Sequence, residues 1–380
     1  MEHSDSILRC FDGYYAGKTV LVTGHTGFKG SWICEWLLGL GARVVGIALA
    51  PGEPSLFDEL KLAQRMEHHV QDIRDYARTR DIILAVKPDV VFHMAAQPLV
   101  RESYQDPLGT YATNVMGTAH VLNALRELTT PCVAVCITTD KCYENREWLY
   151  GYRECDALGG YDPYSSSKAC SELVIHAYKQ SFFNVDHALT LVVVASVRAG
   201  NVIGGGDWTQ SRLLPDCVRS LMAHESICVR NPESTRPWQH VLEPLSGYLS
   251  LGAALGRALE AENLEELQLL SGPFNFGPLT HEKHTVGQFV EAVLRLWPGE
   301  WSSVCDQKNP HEAGLLHLAI DKAATVLGWQ PVWDFEKTVQ ASIHWYRAWA
   351  ESAKQAPALT IHDLAEYTQD ARKQGLPWAN

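Results

Sequence analysis

The chain has 380 residues, of which 46% are hydrophobic and 20% are charged, and this composition is typical of a folded protein rather than a disordered one. Its formal net charge of -12 argues against general nucleic-acid binding, which depends on lysine and arginine. The first residues lack the basic and apolar regions of a signal peptide, and no apolar run is long enough to cross a bilayer. We therefore predict a cytoplasmic protein without nucleic-acid or membrane partners.

Short apolar segments alternate with segments of helical periodicity in the first half of the chain. Strands are predicted at residues 19–23, 43–48, 90–94, 133–138 and 189–197, and helices at 31–40, 75–86, 113–128 and 165–182. Apolar strands separated by helices are typical of a buried parallel sheet with helices on both faces. The predicted fold class is α/β, a doubly wound parallel (Rossmann) sheet with a smaller α/β C-terminal substrate-binding domain.

The pattern loosens after residue 198, where glycines and prolines interrupt it. Loops of this kind often form the substrate side of a site. We predict a Rossmann domain at 14–197 with a returning segment near 240–277, a substrate-binding domain at 198–239 and 278–350, and a helical tail at 351–380. Short helices are predicted from residue 222 onward, at 287–297 and at 321–329.

The ten cysteines are irregularly spaced, and no C-x-x-C pair occurs among them. In a reducing compartment such cysteines are usually small buried side chains rather than disulfides or metal ligands. We therefore predict free thiols and no metal site.

A glycine pattern lies where the first predicted strand meets the first predicted helix. Gly24 permits a tight turn, Gly27 lets the backbone approach a pyrophosphate, and Gly30 lets the helix pack on the sheet. Phosphates would meet free N–H groups and the positive end of the helix dipole. We predict a dinucleotide site that includes Gly24, Thr26, Gly27, Phe28, Lys29 and Gly30.

The choice between NAD and NADP is open on the sequence. The second strand ends without the carboxylate that usually holds the adenosine ribose, since none occurs before Glu53. No arginine suited to a 2′-phosphate takes its place. Asp72 and Ile73, after the third strand, are suited to the adenine ring, although a surface turn would explain them nearly as well.

Two further motifs carry chemistry. Tyr164 and Lys168 are four residues apart, so they share one face of the predicted helix. A lysine beside a phenol favours the phenolate, which predicts a lowered pKa for Tyr164 and a general base for hydride transfer. The second motif, Thr139, Asp140 and Lys141, follows a strand at the sheet edge where catalytic groups gather. Considered without the other motifs, these three residues are better explained as a capped turn with a surface ion pair than as catalytic groups.

These motifs resemble those of the extended short-chain dehydrogenase/reductase family. The resemblance rests on the glycine turn, residues 93–96, Asn114, the Tyr164/Lys168 pair and residues 198–201. Within that family, the Thr-Asp-Lys form with residues 142–145, 25–32, 201–208 and 236–241 is similar to the 4,6-dehydratases that act on CDP-glucose. The resemblance implies NAD as the cofactor, CDP-glucose as the substrate, and a homodimer or a dimer of dimers.

The resemblance also implies the role of each residue. Tyr164, helped by Thr139, would take the proton of the sugar 4-hydroxyl, Lys141 would remove the C5 proton, and Asp140 would protonate the departing C6 hydroxyl. Further cofactor contacts are implied for Ala95, Ala96, Gln97, Asn114, Thr138 and Lys168. The substrate is expected at Arg198, Asn201, Arg212, Arg236 and His240, with Arg236 as the main diphosphate anchor because guanidinium binds phosphate bidentately.

Two alternative functions stay open. A dehydratase or epimerase acting on a dTDP-, GDP- or UDP-sugar would share the fold and the cofactor, although an epimerase has no water to eliminate. A non-catalytic NAD-binding regulator would share only the fold, and such a protein would not need the tyrosine, lysine and threonine that this chain retains.

Overall fold

The protein is described by a computed structural model covering residues 7–186, 191–279, 283–303 and 315–380. The main strands are β1 (Thr19–Thr23), β2 (Arg43–Ala48), β3 (Glu67–Val70), β4 (Val90–His93), β5 (Cys132–Ile137), β6 (Val192–Ala199) and, later in the chain, β11 (Pro273–Phe276). They form a seven-stranded parallel sheet in the order β11-β6-β5-β4-β1-β2-β3. The predicted α/β fold class is confirmed.

Residue composition explains why these segments are interior strands. All residues of β5 and β6 are buried, and their valines suit a strand that packs on both faces. Strand β1 lies between β2 and β4, because Val22 is paired with Gly46 on one side and Phe92 on the other. The strand order therefore reverses beside β1, where an open α/β sheet forms its ligand crevice.

Helices cover the sheet and connect its strands. The α-helices are Phe28–Gly39, Leu56–Glu59, Tyr76–Val86, Val100–Gln105, Pro107–Tyr111, Gly117–Leu125, Pro163–Phe182, Leu213–Met222, Leu242–Glu260, Leu264–Leu270, Val286–Leu296, Asp321–Leu327, Phe335–Glu351 and Ala356–Lys373. The remaining strands pair two by two: β7 (Val202–Ile203) with β10 (Gln239–His240), β9 (Thr235–Arg236) with β12 (His284–Thr285), and β8 (Ile227–Val229) with β13 (Trp301–Ser303).

Three predicted elements need correction. The helix predicted from residue 222 onward is wrong, because the helix Leu213–Met222 ends there. Its first turn accommodates Pro215, one of the prolines that interrupt the sequence pattern after residue 198. The helix predicted at 113–128 begins earlier, at Pro107, and includes a π-helical turn at Ala112–Met116. The strand predicted at 189–197 is observed as β6, and its first two positions lie outside the described residues.

The chain returns to the main sheet late. Strand β11 pairs with β6 after the short strands β7–β10 and the long helix Leu242–Glu260.

The C-terminal tail packs on the domain core, since Trp378 stacks on Phe11 with ring centroids 5.4 Å apart and contacts Trp36 with ring centroids 5.9 Å apart. The described residues contain no helix that is both long and apolar enough to span a membrane.

Candidate active site

The glycine turn connects β1 to the helix Phe28–Gly39. Gly24 has a φ of +78°, and a Cβ there would lie 2.8 Å from the Ala95 nitrogen. A Cβ on Gly30 would lie 2.1 Å from the Gly24 carbonyl oxygen. Gly27 is the N-cap residue and supplies no side-chain cap. First-turn N–H groups are therefore left for an anion, and this cradle fits a pyrophosphate.

A cavity of about 1040 Å³ opens from this turn along the carboxyl edge of the sheet. Pockets that bind drug-sized ligands are usually no larger than about 1,000 Å³. This cavity is slightly larger than that limit, so it has room for a dinucleotide and part of a second ligand. Most of the predicted site residues line it: Gly24, Thr26, Gly27, Phe28, Lys29, Gly30, Asp72, Ile73, Ala95, Ala96, Thr138, Thr139, Asp140, Lys141, Tyr164, Lys168, Asn201, Arg212 and Arg236.

Two predicted cofactor residues lie behind the cavity wall. Asn114 is buried, accepts a hydrogen bond from the Gln97 backbone N–H at 2.8 Å and donates one to the Ser167 hydroxyl at 2.8 Å. These bonds tie the loop after β4 to the helix that carries Tyr164. Gln97 and Asn114 therefore position the wall instead of lining it.

Two predicted substrate residues are also absent from the cavity lining. Arg198 is 3% exposed and pairs with Glu172 at 2.9 Å inside the sheet–helix layer. His240 is fully buried between Trp32 and Trp333, with ring centroids 5.8 and 4.9 Å away. The structure does not support direct substrate contact by either, because each side chain is enclosed by protein atoms.

Tyr164 stands in the first turn of the helix Pro163–Phe182. Asp162 caps that helix by accepting the Ser165 N–H at 2.9 Å, and Pro163 suits the first helical position. Burial raises the pKa of Tyr164 to about 12, while a hydrogen bond with Thr139 and the charge of Arg212 lower it. The predicted lowering of the Tyr164 pKa is therefore wrong, because desolvation of the phenolate outweighs those contacts.

Lys168 is buried one turn further along the same helix. Its ammonium donates to the Ile137 carbonyl oxygen at 3.2 Å. Burial lowers the pKa of Lys168 to about 8, and the carboxylate of Glu172 opposes that shift. Glu172, one more turn along, was missed by the sequence analysis, although the spacing of Tyr164, Lys168 and Glu172 places all three on one helix face.

Thr139, Asp140 and Lys141 form a compact turn after β5. The Thr139 hydroxyl donates to Asp140 Oδ1 at 2.9 Å, and Asp140 is only 2% exposed. The Lys141 ammonium lies 4.0 Å from Asp140 Oδ1 and 3.5 Å from Asn201 Oδ1. The tyrosine, the hydroxyl, the carboxylate and the amine thus meet at one end of the cavity, which suits several successive proton transfers.

The part of the cavity predicted to hold the adenine ring contains an ion pair of which only Asp72 was predicted. Asp72 accepts hydrogen bonds from the Arg74 guanidinium at 2.6 and 2.8 Å, and both residues line the cavity. Arg74 was not predicted, although its position two residues after Asp72 makes such a pair sterically easy. The arrangement has one acidic and one basic group, so it leaves the choice between NAD and NADP open.

The fold and the Tyr164/Lys168 site define a member of the extended short-chain dehydrogenase/reductase class. Residues 21–252 match a family model described as GDP-mannose 4,6 dehydratase. A CDP-glucose 4,6-dehydratase of Salmonella typhimurium is 49% identical over 88% of this chain and 92% of its own length. The chain therefore belongs to this family of nucleotide-sugar dehydratases.

More distant relatives share the fold. A dTDP-glucose 4,6-dehydratase of Streptomyces griseus is 29% identical over 90% of this chain and 98% of its own. The solved dTDP-glucose 4,6-dehydratase of Streptomyces venezuelae, with NAD bound, has a TM-score of 0.73 at 22% identity, covering 88% of this chain and 100% of that one. A UDP-glucose 4-epimerase of Thermotoga maritima has a TM-score of 0.72 at 20% identity, covering 87% and 99%.

Proposed function

We propose that this chain is a CDP-glucose 4,6-dehydratase, a hydro-lyase that converts CDP-glucose to CDP-4-dehydro-6-deoxy-D-glucose and water with NAD. The observation that carries the proposal is the meeting of Asp140 and Lys141 with Tyr164 at one end of the cavity. Elimination of water needs an acid and a base in addition to the tyrosine, whereas an epimerase has no use for them. The 49% identical Salmonella relative supports the choice of sugar nucleotide.

The glycine turn, Ala95 and Thr138 would hold NAD, which when bound would accept hydride from sugar C4 and return it to C6. Tyr164 would take the 4-hydroxyl proton, with Thr139 orienting that hydroxyl. The resulting ketone acidifies the C5 proton, which Lys141 would remove. Asp140 would protonate the C6 hydroxyl as it leaves, and Lys141 would return its proton to C5 in the final step.

Basic side chains of the same cavity would hold the diphosphate. Arg236 and Arg212 line it, and guanidinium groups bind phosphate oxygens in pairs of hydrogen bonds. Arg212 is already 3.0 Å from Asp207, which fixes its direction. We keep Arg236 as the main anchor, with Arg212 beside it and Asn201 near the sugar.

We also propose that the enzyme is a cytoplasmic homodimer or a dimer of dimers. Leu173, in the middle of the helix Pro163–Phe182, is 57% exposed, and an exposed apolar side chain on a helix suits contact with a partner helix. Light scattering on the purified protein tests this, and a monomer at micromolar concentration would contradict it.

The first experiment combines the purified protein with CDP-glucose and NAD and follows the product by NMR and mass. We expect loss of one water without accumulation of reduced cofactor. Lys141→Ala should lower turnover by about 100-fold or more, the usual contribution of a positioned proton-transfer group. Lys354→Ala, a change at an exposed lysine of the tail, is the matched control and should leave the rate unchanged.

The same assay separates the rivals. Turnover of a UDP-, dTDP- or GDP-sugar in place of CDP-glucose would agree with the family but would contradict the proposed cytidine specificity. Epimerised product without water loss would indicate an epimerase. Cofactor binding without turnover of any nucleotide sugar would favour the regulator.

A further inference from the structure

One part of the cavity lies beyond the residues proposed for catalysis, and the inference drawn from it rests on the proposed function. A nucleotide sugar is a linear ligand in which the sugar is followed by the diphosphate, the ribose and the base. With the sugar at Tyr164 and the diphosphate at Arg212 and Arg236, the base extends away from the catalytic residues. Arg212 is the N-cap residue of the helix Leu213–Met222, and the first turn of that helix lines the cavity together with strand β8.

The walls of this part of the cavity are largely apolar. Leu214 and Pro215 of the helix, and Ile227 and Val229 of β8, are buried side chains that line it. Apolar walls suit the flat faces of any nucleobase, so they do not distinguish one base from another. In such pockets, specificity comes from the few polar groups that meet the edge of the ligand.

Two carboxylates after strand β7 line the cavity, and they differ in their hydrogen bonds. Asp207 is 2% exposed, and both of its oxygens are occupied. Oδ1 accepts the Thr209 N–H at 3.1 Å, and Oδ2 accepts from Arg212 at 3.0 Å. The side chain of Asp216, in the first turn of the helix, is 43% exposed. Its Oδ1 accepts from Arg219, whereas its Oδ2 accepts no hydrogen bond from the residues that the structure describes.

Arg219 fixes the Asp216 carboxylate in position. It lies one turn further along the helix, and its guanidinium also donates to the Trp208 carbonyl oxygen at 3.1 Å and the Thr209 carbonyl oxygen at 3.4 Å. This ion pair offsets the repulsion that a carboxylate beside a diphosphate would otherwise cause. An ionised carboxylate can only accept hydrogen bonds. Oδ2 of Asp216 is therefore suited to a ligand group that donates.

We propose that Asp216 selects cytosine over uracil by accepting a hydrogen bond from the exocyclic amino group at position 4 of the base. Cytosine has an N–H donor at that position, and carboxylates accept from it in other recognition sites. Uracil has a carbonyl oxygen there instead. Two acceptors would then lie against each other, so the same carboxylate that attracts cytosine repels uracil.

Calorimetry with CDP and UDP tests the proposal without turnover, using the full-length protein saturated with NAD. The wild-type protein should bind CDP more tightly than UDP by about 10-fold or more. In Asp216→Asn, the amide oxygen stays on Arg219, because guanidinium only donates, and the amide N–H groups turn to the base. This variant should bind UDP at least as tightly as CDP. Asp216→Leu should bind the two nucleotides with similar affinity.

The matched control is Asp321→Asn, which changes an exposed carboxylate in the first turn of another helix, outside the cavity lining. It should keep the wild-type ratio of CDP to UDP affinity. This ratio is measured within one variant, so partial unfolding of a variant does not alter it.

A wild-type ratio of affinities in Asp216→Asn would overturn the proposal, and so would a wild-type protein that binds CDP and UDP equally. Equal losses for both nucleotides in the Asn and Leu variants would also overturn it, because they would assign Asp216 to the ribose hydroxyls that both ligands share. Failure of the wild-type protein to dehydrate CDP-glucose is a separate result. It would overturn the proposed function, whereas the affinity ratios do not depend on turnover.

Discussion

Replacing Arg198 tests whether it belongs to the protein interior or to the substrate site. Its Nε and Nη2 donate to Glu172 at 3.0 and 2.9 Å, and its Nη1 donates to the Tyr143 hydroxyl at 2.7 Å. The two charged side chains are 3% and 4% exposed. Arg198→Met keeps the length of the side chain but leaves the Glu172 carboxylate buried without its cation.

Removing one partner of a buried ion pair usually costs about 3–5 kcal/mol. We expect that loss in the free energy of unfolding of Arg198→Met, measured by urea denaturation with circular dichroism. The double variant Glu172→Gln/Arg198→Met should lose less than the sum of the two single variants, by about 2 kcal/mol, because neither charge is then left unpaired.

An exposed ion pair supplies the matched control. Arg295 and Glu336 lie 3.0 Å apart but are 57% and 68% exposed, so Arg295→Met should change the free energy of unfolding by about 1 kcal/mol or less. The reasoning would be refuted if Arg198→Met unfolded like the wild type while its KM for CDP-glucose rose. That result would return Arg198 to the substrate-binding role predicted from the sequence.

Three further predictions concern the glycine turn, acid stability and the tail. Gly30→Ala should abolish NAD binding in calorimetry, because its Cβ would lie 2.1 Å from the Gly24 carbonyl oxygen; wild-type affinity would contradict this. Three buried histidines have pKa values lowered chiefly by burial, to about 4 for His25 and about 3 for His93 and His240. The unfolded chain therefore binds more protons than the folded protein below pH 6.5. For this reason the free energy of unfolding should fall by about 4 kcal/mol per pH unit as the pH drops from 6 toward 4. Urea midpoints that do not change with pH in that window would refute the lowered histidine pKa values. Trp378→Ala should cost about 3–5 kcal/mol in the same denaturation assay because Trp378 is 4% exposed and packs on aromatic rings, and a loss below about 1 kcal/mol would show that the tail packs independently of the core.

Local chemistry explains what could be predicted. Strands β1 and β2 were predicted to the residue; β1 is bounded by Lys18 and Gly24, and β2 begins at Arg43 and is followed three residues later by Pro51. The glycine turn was predicted from spacing alone, because only glycine tolerates the backbone approach found at Gly24 and Gly30. The turn after β5 was also predicted, since the edge at which a parallel strand ends follows from chain direction.

Long-range packing explains what could not be predicted. Whether an arginine faces a cavity or a buried carboxylate depends on partners far along the chain: Arg198 meets a glutamate 26 residues earlier. His240 is enclosed by Trp32 and Trp333, which come from distant segments. The helix Leu213–Met222 was missed because Pro215 signals a break in sequence but fits a first turn in space.

The sequence by itself determined the fold class and the glycine turn and predicted two short motifs as the proposed catalytic set, because each of these depends on residue type and short spacing. Only the tertiary structure decided the charge environment of that set. The pKa of Tyr164 rises because neighbouring elements bury the phenol, and Arg212, from a segment far along the chain, is the cation that opposes this. Desolvation and charge act through space, so the pattern Tyr-x-x-x-Lys could predict which residue we propose as the base but not its ionisation.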